Sequence, residues 1–314
     1  MKKVLIVDEM YPSLFKYLEE LNLQYDYLPK ITREEIIEII DQYFGLIIRS
    51  KTTVDEGLLQ NNTSLQFVAR AGAGIDNIDQ ELLLKKSIHL IAAAEGNRDA
   101  VGEHTTGLIL ALLNNIVKSD REVRNFEWKR EENRGKELSS FTVGILGYGN
   151  MGEAVAKRMS AFTNKIICYD KYKQIEKNAI CTQVDSGEFY EKTEILSVHI
   201  PLTDETLGMI NTDYFNRYKN NLYFINTARG EIAEISAIAE GIKTGKIVGA
   251  ALDVLQNEKL KKITEDEKKD YTYLFQSDAT IFTPHIAGWS FESYEKINQV
   301  LISKIQKFLD NVIE

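Results

Sequence analysis

Thr142-Val-Gly-Ile-Leu-Gly-Tyr-Gly-Asn-Met-Gly-Glu153, then a helical run, then Lys165-Ile-Ile-Cys-Tyr-Asp170, is the stretch on which the fold turns. Gly147, Gly149 and Gly152 spell G-x-G-x-x-G. Three glycines recur by chance, so the context carries the weight. A short apolar run, Val143 to Leu146, precedes them, and a helix-forming stretch, Met151 to Met159, follows. A second apolar run then ends in Asp170, 18 residues after Gly152. That is the order of a dinucleotide-binding β-α-β unit. Gly147 permits the tight turn, Gly149 lets the backbone approach a pyrophosphate, and Gly152 lets the helix lie close on the sheet. The free N–H groups at the helix start face the phosphates. Gly147, Tyr148, Gly149, Asn150, Met151 and Gly152 are therefore cofactor-binding candidates. Asp170 would accept hydrogen bonds from both ribose hydroxyls and repel a 2′-phosphate, which favours NAD over NADP. Lys171 and Lys173 weaken that preference a little.

Around this unit the chain has 314 residues, enough for two domains. Hydrophobic residues make up 44% and charged residues 27%, as in a soluble globular protein. A net charge of −9, with no basic cluster in a nucleic-acid motif, argues against a nucleic-acid partner. Two cysteines, Cys168 and Cys181, cannot frame a disulfide scaffold and read as small core residues. No run of about 18 apolar residues exists, so no membrane span is expected. Met1 to Asp8 is too short for a signal peptide and reads as a first strand, so a cytoplasmic protein is expected. No metal-ligand set is read.

Further apolar runs fall at 3–8, 44–48, 65–69, 88–92, 195–200, 222–225, 248–252 and 280–282. They alternate with helical patterns, which indicates parallel strands joined by crossover helices. Thr32-x-x-Glu35 is a capping box opening a helix through Ile40. Residues 99–118 read as one long helix with a stripe of Val101, Thr105, Leu108, Ile109, Ala111, Leu112 and Ile116. The charged segment 119–137 reads as an exposed helix or connector, and Glu258 to Asp270 as a surface loop or short helix. Glu292 to Ile313 is an amphipathic terminal helix.

Ligands of doubly wound sheets sit beyond the carboxyl ends of the strands. Three such ends carry Asn226-Thr-Ala-Arg-Gly230, Asp253-Val-Leu-Gln-Asn-Glu258 and Thr283-Pro-His-Ile-Ala-Gly288. An arginine, a glutamate and a histidine thus follow strands of the sheet expected to hold a nicotinamide.

With Arg70-Ala-Gly-Ala-Gly-Ile-Asp-Asn-Ile-Asp79, Val198-His-Ile-Pro-Leu-Thr203 and Ala251-Leu-Asp-Val254, this set resembles the D-isomer-specific 2-hydroxyacid dehydrogenases over nearly the whole chain. Arg49-Ser-Lys-Thr52 together with Arg70 to Asn77 most resembles the phosphoglycerate dehydrogenase branch. The chain stops soon after its final helix, so the regulatory extension of longer members, and feedback control through it, are not expected. The resemblance implies an α/β fold of two doubly wound parallel-sheet domains. A Rossmann NAD-binding domain, 99–288, would be inserted in a flavodoxin-like substrate domain, 1–98 with 289–314. A hinge would let closure exclude water from bound substrate.

The resemblance also implies roles. His285 takes the hydroxyl proton as hydride leaves its carbon, chemistry that suits an imidazole near neutral pH. Glu258 orients His285 and stabilises imidazolium. Arg229 binds the substrate carboxylate, and the N–H groups of Ala73 and Gly74 take its other oxygen. Arg49 and Arg70 are candidates for a substrate phosphate, with interdomain ion pairs as the alternative. Asp253 receives the nicotinamide carboxamide. His199, Ile200, Pro201, Thr206, Thr227, Ala228 and Gly288 line the cofactor. Asn97, Glu103 and His104 match a family segment, and His104 reads as structural. Trp289 walls the pocket or fills core.

One departure is Lys259 where the family usually has proline, followed by a longer charged insertion. Glu258 keeps its place because it stands 29 positions after Arg229, the separation the resemblance implies. The expected reaction is reversible hydride transfer between NAD and a D-2-hydroxy acid, 3-phosphoglycerate foremost, in a homodimer. The alternatives are another acid (glyoxylate, hydroxypyruvate or D-lactate type) or an NAD-sensing corepressor-like scaffold. The Arg229, Glu258 and His285 set speaks against the scaffold.

Overall fold

A computed structural model describes residues 2–60, 64–176 and 179–313. The chain splits into two compact units, Met1–Arg98 with Trp289–Glu314, and Asp99–Gly288.

Among the described residues, the first unit is a five-stranded parallel sheet. Its strands are β1 (Lys3–Ile6), β2 (Gln24–Tyr27), β3 (Gly45–Ile48), β4 (Phe67–Arg70) and β5 (His89–Ala92). The order is β2-β1-β3-β4-β5, that of flavodoxin-like sheets. The central strands β1, β3 and β4 are buried on both faces, which is why they read as unbroken apolar runs. The edge strand β2, Gln-Tyr-Asp-Tyr, escaped the apolar-run reading because one side faces solvent. Helix Phe291–Ile313 covers one face. Its Ile297, Leu301, Ile305 and Leu309 recur every fourth residue and are all buried. Such side chains contribute about 1.5–3 kcal/mol each when fully buried. The capping box at Thr32 is formed, with Glu35 N–H donating to Thr32 Oγ1 and Thr32 N–H to the Glu35 carboxylate.

The second unit holds a seven-stranded parallel sheet. Its strands are β6 (Val143–Leu146), β7 (Ile166–Tyr169), β8 (Thr182–Gln183), β9 (Ile195–Val198), β10 (Leu222–Asn226), β11 (Ile247–Leu252) and β12 (Thr280–Phe282). The order β12-β11-β10-β9-β6-β7-β8 is the dinucleotide-binding order with one strand added at the β11 side. The strand order reverses between β6 and β9, so the ligand crevice is expected beyond their carboxyl ends. Cys168 and Cys181 form no disulfide and are buried in this unit's core.

Some expectations need correction. The single helix over 99–118 is two helices, Arg98–Leu113 and Ile116–Arg124, broken at Asn115, which has φ 51°. Asparagine tolerates this left-handed conformation, and a chain that adopts it cannot continue a right-handed helix. Ile116, placed on the apolar stripe, is 53% exposed as a result. Within 119–137 the helix stops at Arg124. The charged stretch after Glu258 leads into a full helix, Glu265–Gln276, which has its own capping box at Thr264 and Glu267. No described helix is long and apolar enough to cross a membrane.

Candidate active site

The dinucleotide turn leaves β6 at Gly147 with φ 88°, a conformation that glycine adopts without strain. A Cβ on Gly152 would lie 2.1 Å from the Gly147 carbonyl oxygen, so helix Asn150–Met159 starts as close to the turn as backbone permits. Gly149 faces open space. The cradle therefore fits a pyrophosphate: open backbone at Gly149, and Asn150 and Met151 at the first N–H groups of a ten-residue helix.

Asp170, just past β7, accepts from the N–H groups of Tyr148 (2.9 Å), Tyr172 (3.0 Å) and Lys173 (2.9 Å). Burial pushes its carboxyl up, but these three donors outweigh it and hold the group below the usual carboxylate range. The two lysines after it are tied down. Lys171 and Tyr172 both reach the Glu205 carboxylate, and Lys173 Nζ donates to the Tyr148 carbonyl at 3.1 Å. Substituting Asp170 by serine is expected to move the NAD:NADP ratio of kcat/KM toward NADP by roughly 10–100-fold. That corresponds to about 1.5–3 kcal/mol for hydrogen bonds to a charged acceptor. An unchanged ratio in a coenzyme titration would remove Asp170 from the ribose site.

Across the switch point, His199 N–H donates to the Leu146 carbonyl at 2.7 Å. Its Nε2 pairs with Ser197 Oγ at 2.7 Å, and burial pushes its pKa down to about 3, so the ring is neutral. Its Nδ1 is buried without a partner. Ile200 abuts Gly147. Thr206 Oγ1 donates to the Pro201 carbonyl at 2.7 Å and closes the following turn. Thr227 Oγ1 meets Thr105 Oγ1 at 3.0 Å. Gly288 is the last residue of the unit.

At the end of β10, the buried Asn226 side chain accepts from Ala228 N–H (3.0 Å) and donates to the Arg229 carbonyl (2.9 Å). This closes the turn that carries Arg229. His285 Nδ1 donates to Glu258 Oε1 at 2.8 Å, with both side chains about half exposed. The hydrogen bond to Glu258 raises the His285 pKa above its ordinary value, against burial and the nearby Arg229 guanidinium. The same contact lowers the Glu258 pKa, with Arg229 also contributing. The three groups thus face one another electrostatically. The segment after Glu258 is held by Lys259 N–H on Asn257 Oδ1 (3.1 Å) and by Asn257 N–H on Tyr271 Oη (3.1 Å), so no proline is needed there.

Asp253 is placed differently from its expected role. Its carboxylate is closed to solvent and accepts from Thr283 Oγ1 and from the N–H groups of Ile286 and Ala287. In this conformation no face of it is open to a carboxamide.

In the first unit, Arg49 Nη2 donates to Tyr294 Oη at 3.2 Å, and the guanidinium lies over the rings of Tyr294 (4.8 Å) and Trp289 (5.4 Å). Trp289, 62% exposed, therefore stacks on arginine and does not fill core. Arg70 lies at the end of β4, with Nη1 1.6 Å from where a Gly72 Cβ would stand, so its head covers that turn. Among the described residues, no backbone acceptor takes the N–H of Ala73 or Gly74. Two groups were missed from sequence. Buried Asp8 accepts from Arg49 N–H (2.6 Å) and Thr52 Oγ1 (2.7 Å), and Asn77 donates to the Arg49 and Thr52 carbonyls. The signal for Asp8 was available, since it is the one acid at the end of the run 3–8. Glu103 pairs with Arg158 at 3.5 Å.

Residues 106–287 match the family model described as D-isomer specific 2-hydroxyacid dehydrogenase, NAD binding domain. The chain belongs to this family. The chain is 31% identical to the D-3-phosphoglycerate dehydrogenase of Archaeoglobus fulgidus, over 96% of its own length and 56% of that protein's. It thus spans little more than half of that relative. It is 32% identical to the hydroxypyruvate reductase of Thermotoga maritima, over 96% of both. The crystal structure of the D-lactate dehydrogenase of Aquifex aeolicus, complexed with NAD and lactic acid, is similar at a TM-score of 0.81. That comparison has 27% identity and covers 98% of this chain and 96% of that one. The matched segment contains Arg229, Glu258 and His285 as well as the glycine turn.

Proposed function

We propose that the chain is an NAD-dependent oxidoreductase that moves a hydride between nicotinamide and the carbon of a D-2-hydroxy acid, with D-3-phosphoglycerate as substrate and 3-phosphohydroxypyruvate as product. The observation that carries the reaction class is the His285–Glu258 hydrogen bond beside Arg229 at adjoining strand ends. Gly147 to Gly152 and Asp170 would hold the dinucleotide, whose nicotinamide supplies the hydride acceptor. Nδ1 of His285 is committed to Glu258, which leaves Nε2 as the nitrogen that takes the hydroxyl proton. Glu258 keeps the ring oriented and stabilises the imidazolium formed. The Arg229 guanidinium binds the substrate carboxylate in its planar fork, and in the reverse direction polarises the keto oxygen.

The phosphate preference rests on Arg49, whose loop is braced by Asp8 and Asn77. Wild-type protein with NADH and a panel of 2-keto acids tests both levels. Arg49→Gln is expected to reduce kcat/KM for 3-phosphohydroxypyruvate by about 10–100-fold, the loss of one charge-assisted contact, and to leave pyruvate or glyoxylate nearly unchanged. Equal losses on all acids would remove the phosphate assignment. A second reading, reduction of unphosphorylated hydroxypyruvate, is favoured by the full-length match to the Thermotoga relative and by the aromatic rings already engaging Arg49.

A second copy of the chain is the proposed partner. Ile116, Val117, Val123, Phe126 and Trp128 expose apolar surface along one segment, Phe126 fully. Light scattering should show a dimer that Phe126→Lys with Trp128→Lys converts to monomer; a monomeric wild type removes the proposal.

A further inference from the structure

We propose that His104 is a positioning residue for His285, acting through the Thr283 hydroxyl on the turn that carries the catalytic imidazole. The proposal rests on the catalytic reading of His285 and adds a residue to it. His285 has φ 56°, a left-handed conformation that few residues other than glycine adopt, histidine being among those that do. Such a conformation persists where the surroundings over-determine it.

Asp253 is the centre of those surroundings. Its carbonyl accepts His285 N–H at 2.7 Å. Its Oδ1 accepts Ile286 N–H at 2.9 Å and Oδ2 accepts Ala287 N–H at 2.8 Å. Thr283 Oγ1 donates to Oδ1 at 2.5 Å, so both ends of the turn 283–287 are pinned to one sealed carboxylate.

A hydroxyl has one proton, and that of Thr283 is committed to Asp253. Thr283 Oγ1 is also 3.1 Å from His104 Nε2. There the oxygen can only accept, which places the His104 proton on Nε2. The same nitrogen lies 3.6 Å from Asp253 Oδ1. The relay runs from His104 Nε2–H to Thr283 Oγ1–H to Asp253, and from Asp253 to the backbone on both sides of His285. Helix Arg98–Leu113, which supplies His104, packs on the core of this unit through Leu108, Ile109 and Leu112 and gives the relay a rigid base. Without His104 the Thr283 oxygen is left with an unmet lone pair and its hydroxyl is free to rotate off Asp253. The turn then loosens, and the 2.8 Å contact of His285 with Glu258 is lost with it.

The test compares His104→Leu with His104→Gln, whose amide N–H can replace Nε2–H, and Thr283→Val with Thr283→Ser. Histidine ring-proton NMR gives the titration midpoint of His285 without any substrate. The chain has four histidines, so assignment by variant is direct. The charged groups facing His285 are Glu258, Arg229 and Asp253, and none of them is altered. His104→Leu and Thr283→Val are expected to lower the His285 midpoint toward ordinary imidazole. They should cut kcat by about 10–100-fold, the scale on which a displaced group loses rate, with NADH affinity within about twofold. His104→Gln and Thr283→Ser are expected to restore most of both. An unshifted midpoint with wild-type kcat in His104→Leu overturns the proposal, and so does a glutamine variant as impaired as the leucine one. A wild type that turns over no acid defeats the catalytic reading alone; the NMR midpoint still decides whether His104 governs His285.

Discussion

Replacing His285 by glutamine is expected to lower kcat for 2-hydroxy acid oxidation by about 10²–10⁴-fold, the usual worth of a positioned general base. NADH affinity should stay within about twofold, because the dinucleotide turn and Asp170 are untouched. The pH profile gives the finer check. The folded pKa of His285 is raised, first by Glu258. Oxidation needs the neutral ring, so its rate is lost as pH falls through that raised value. Reduction needs imidazolium and is lost as pH rises through it. Removing the carboxylate by Glu258→Gln lowers the pKa, and both limbs should move to lower pH. A glutamine variant at position 285 with near-wild-type kcat, or limbs that stay put in Glu258→Gln, would show that another group handles the proton.

Gly230→Ala is the second large effect expected, although Gly230 carries no chemistry. Its added Cβ would stand 1.8 Å from the Leu255 carbonyl oxygen and 2.7 Å from Gln256 N, both backbone atoms that cannot swing aside. Arg229 precedes that contact by one residue, and Glu258 follows Gln256 by two. The methyl must therefore push apart the two segments that present guanidinium and carboxylate. A displacement near 1 Å is expected to lower kcat/KM by about 10²-fold, and overpacking to destabilise the fold by about 1–3 kcal/mol. Gly107→Ala serves as the control, since nothing lies within 4 Å of its Cβ position on a helix. Equal activity in the two variants would show that the approach of these segments does not matter.

Much of this was legible before any coordinates. The glycine turn was readable because its neighbours had to form strand, helix and strand, and the three polar motifs because each directly follows an apolar run that forms a strand. The unreadable parts share a different cause. β2 is polar because an edge strand buries little, and the two-residue β8 has no pattern at all. Helix Glu265–Gln276 hides in a charged run because Tyr271 and Leu274 are its only buried residues. The break at Asn115 is a backbone choice that leaves the hydrophobic period intact. Asp253 lay at the right strand end for a cofactor ligand. Only the folded turn shows which donors surround its carboxylate.

The C-terminal helix has one last consequence. Leu301, Ile305 and Leu309 share a core with Val4, Ile6 and Leu14. A ribosome delivers those two groups far apart in time, because all of Asp99–Gly288 emerges between them. During synthesis β1 and the strands paired with it must wait, one apolar face uncovered, until helix Phe291–Ile313 has left the exit tunnel.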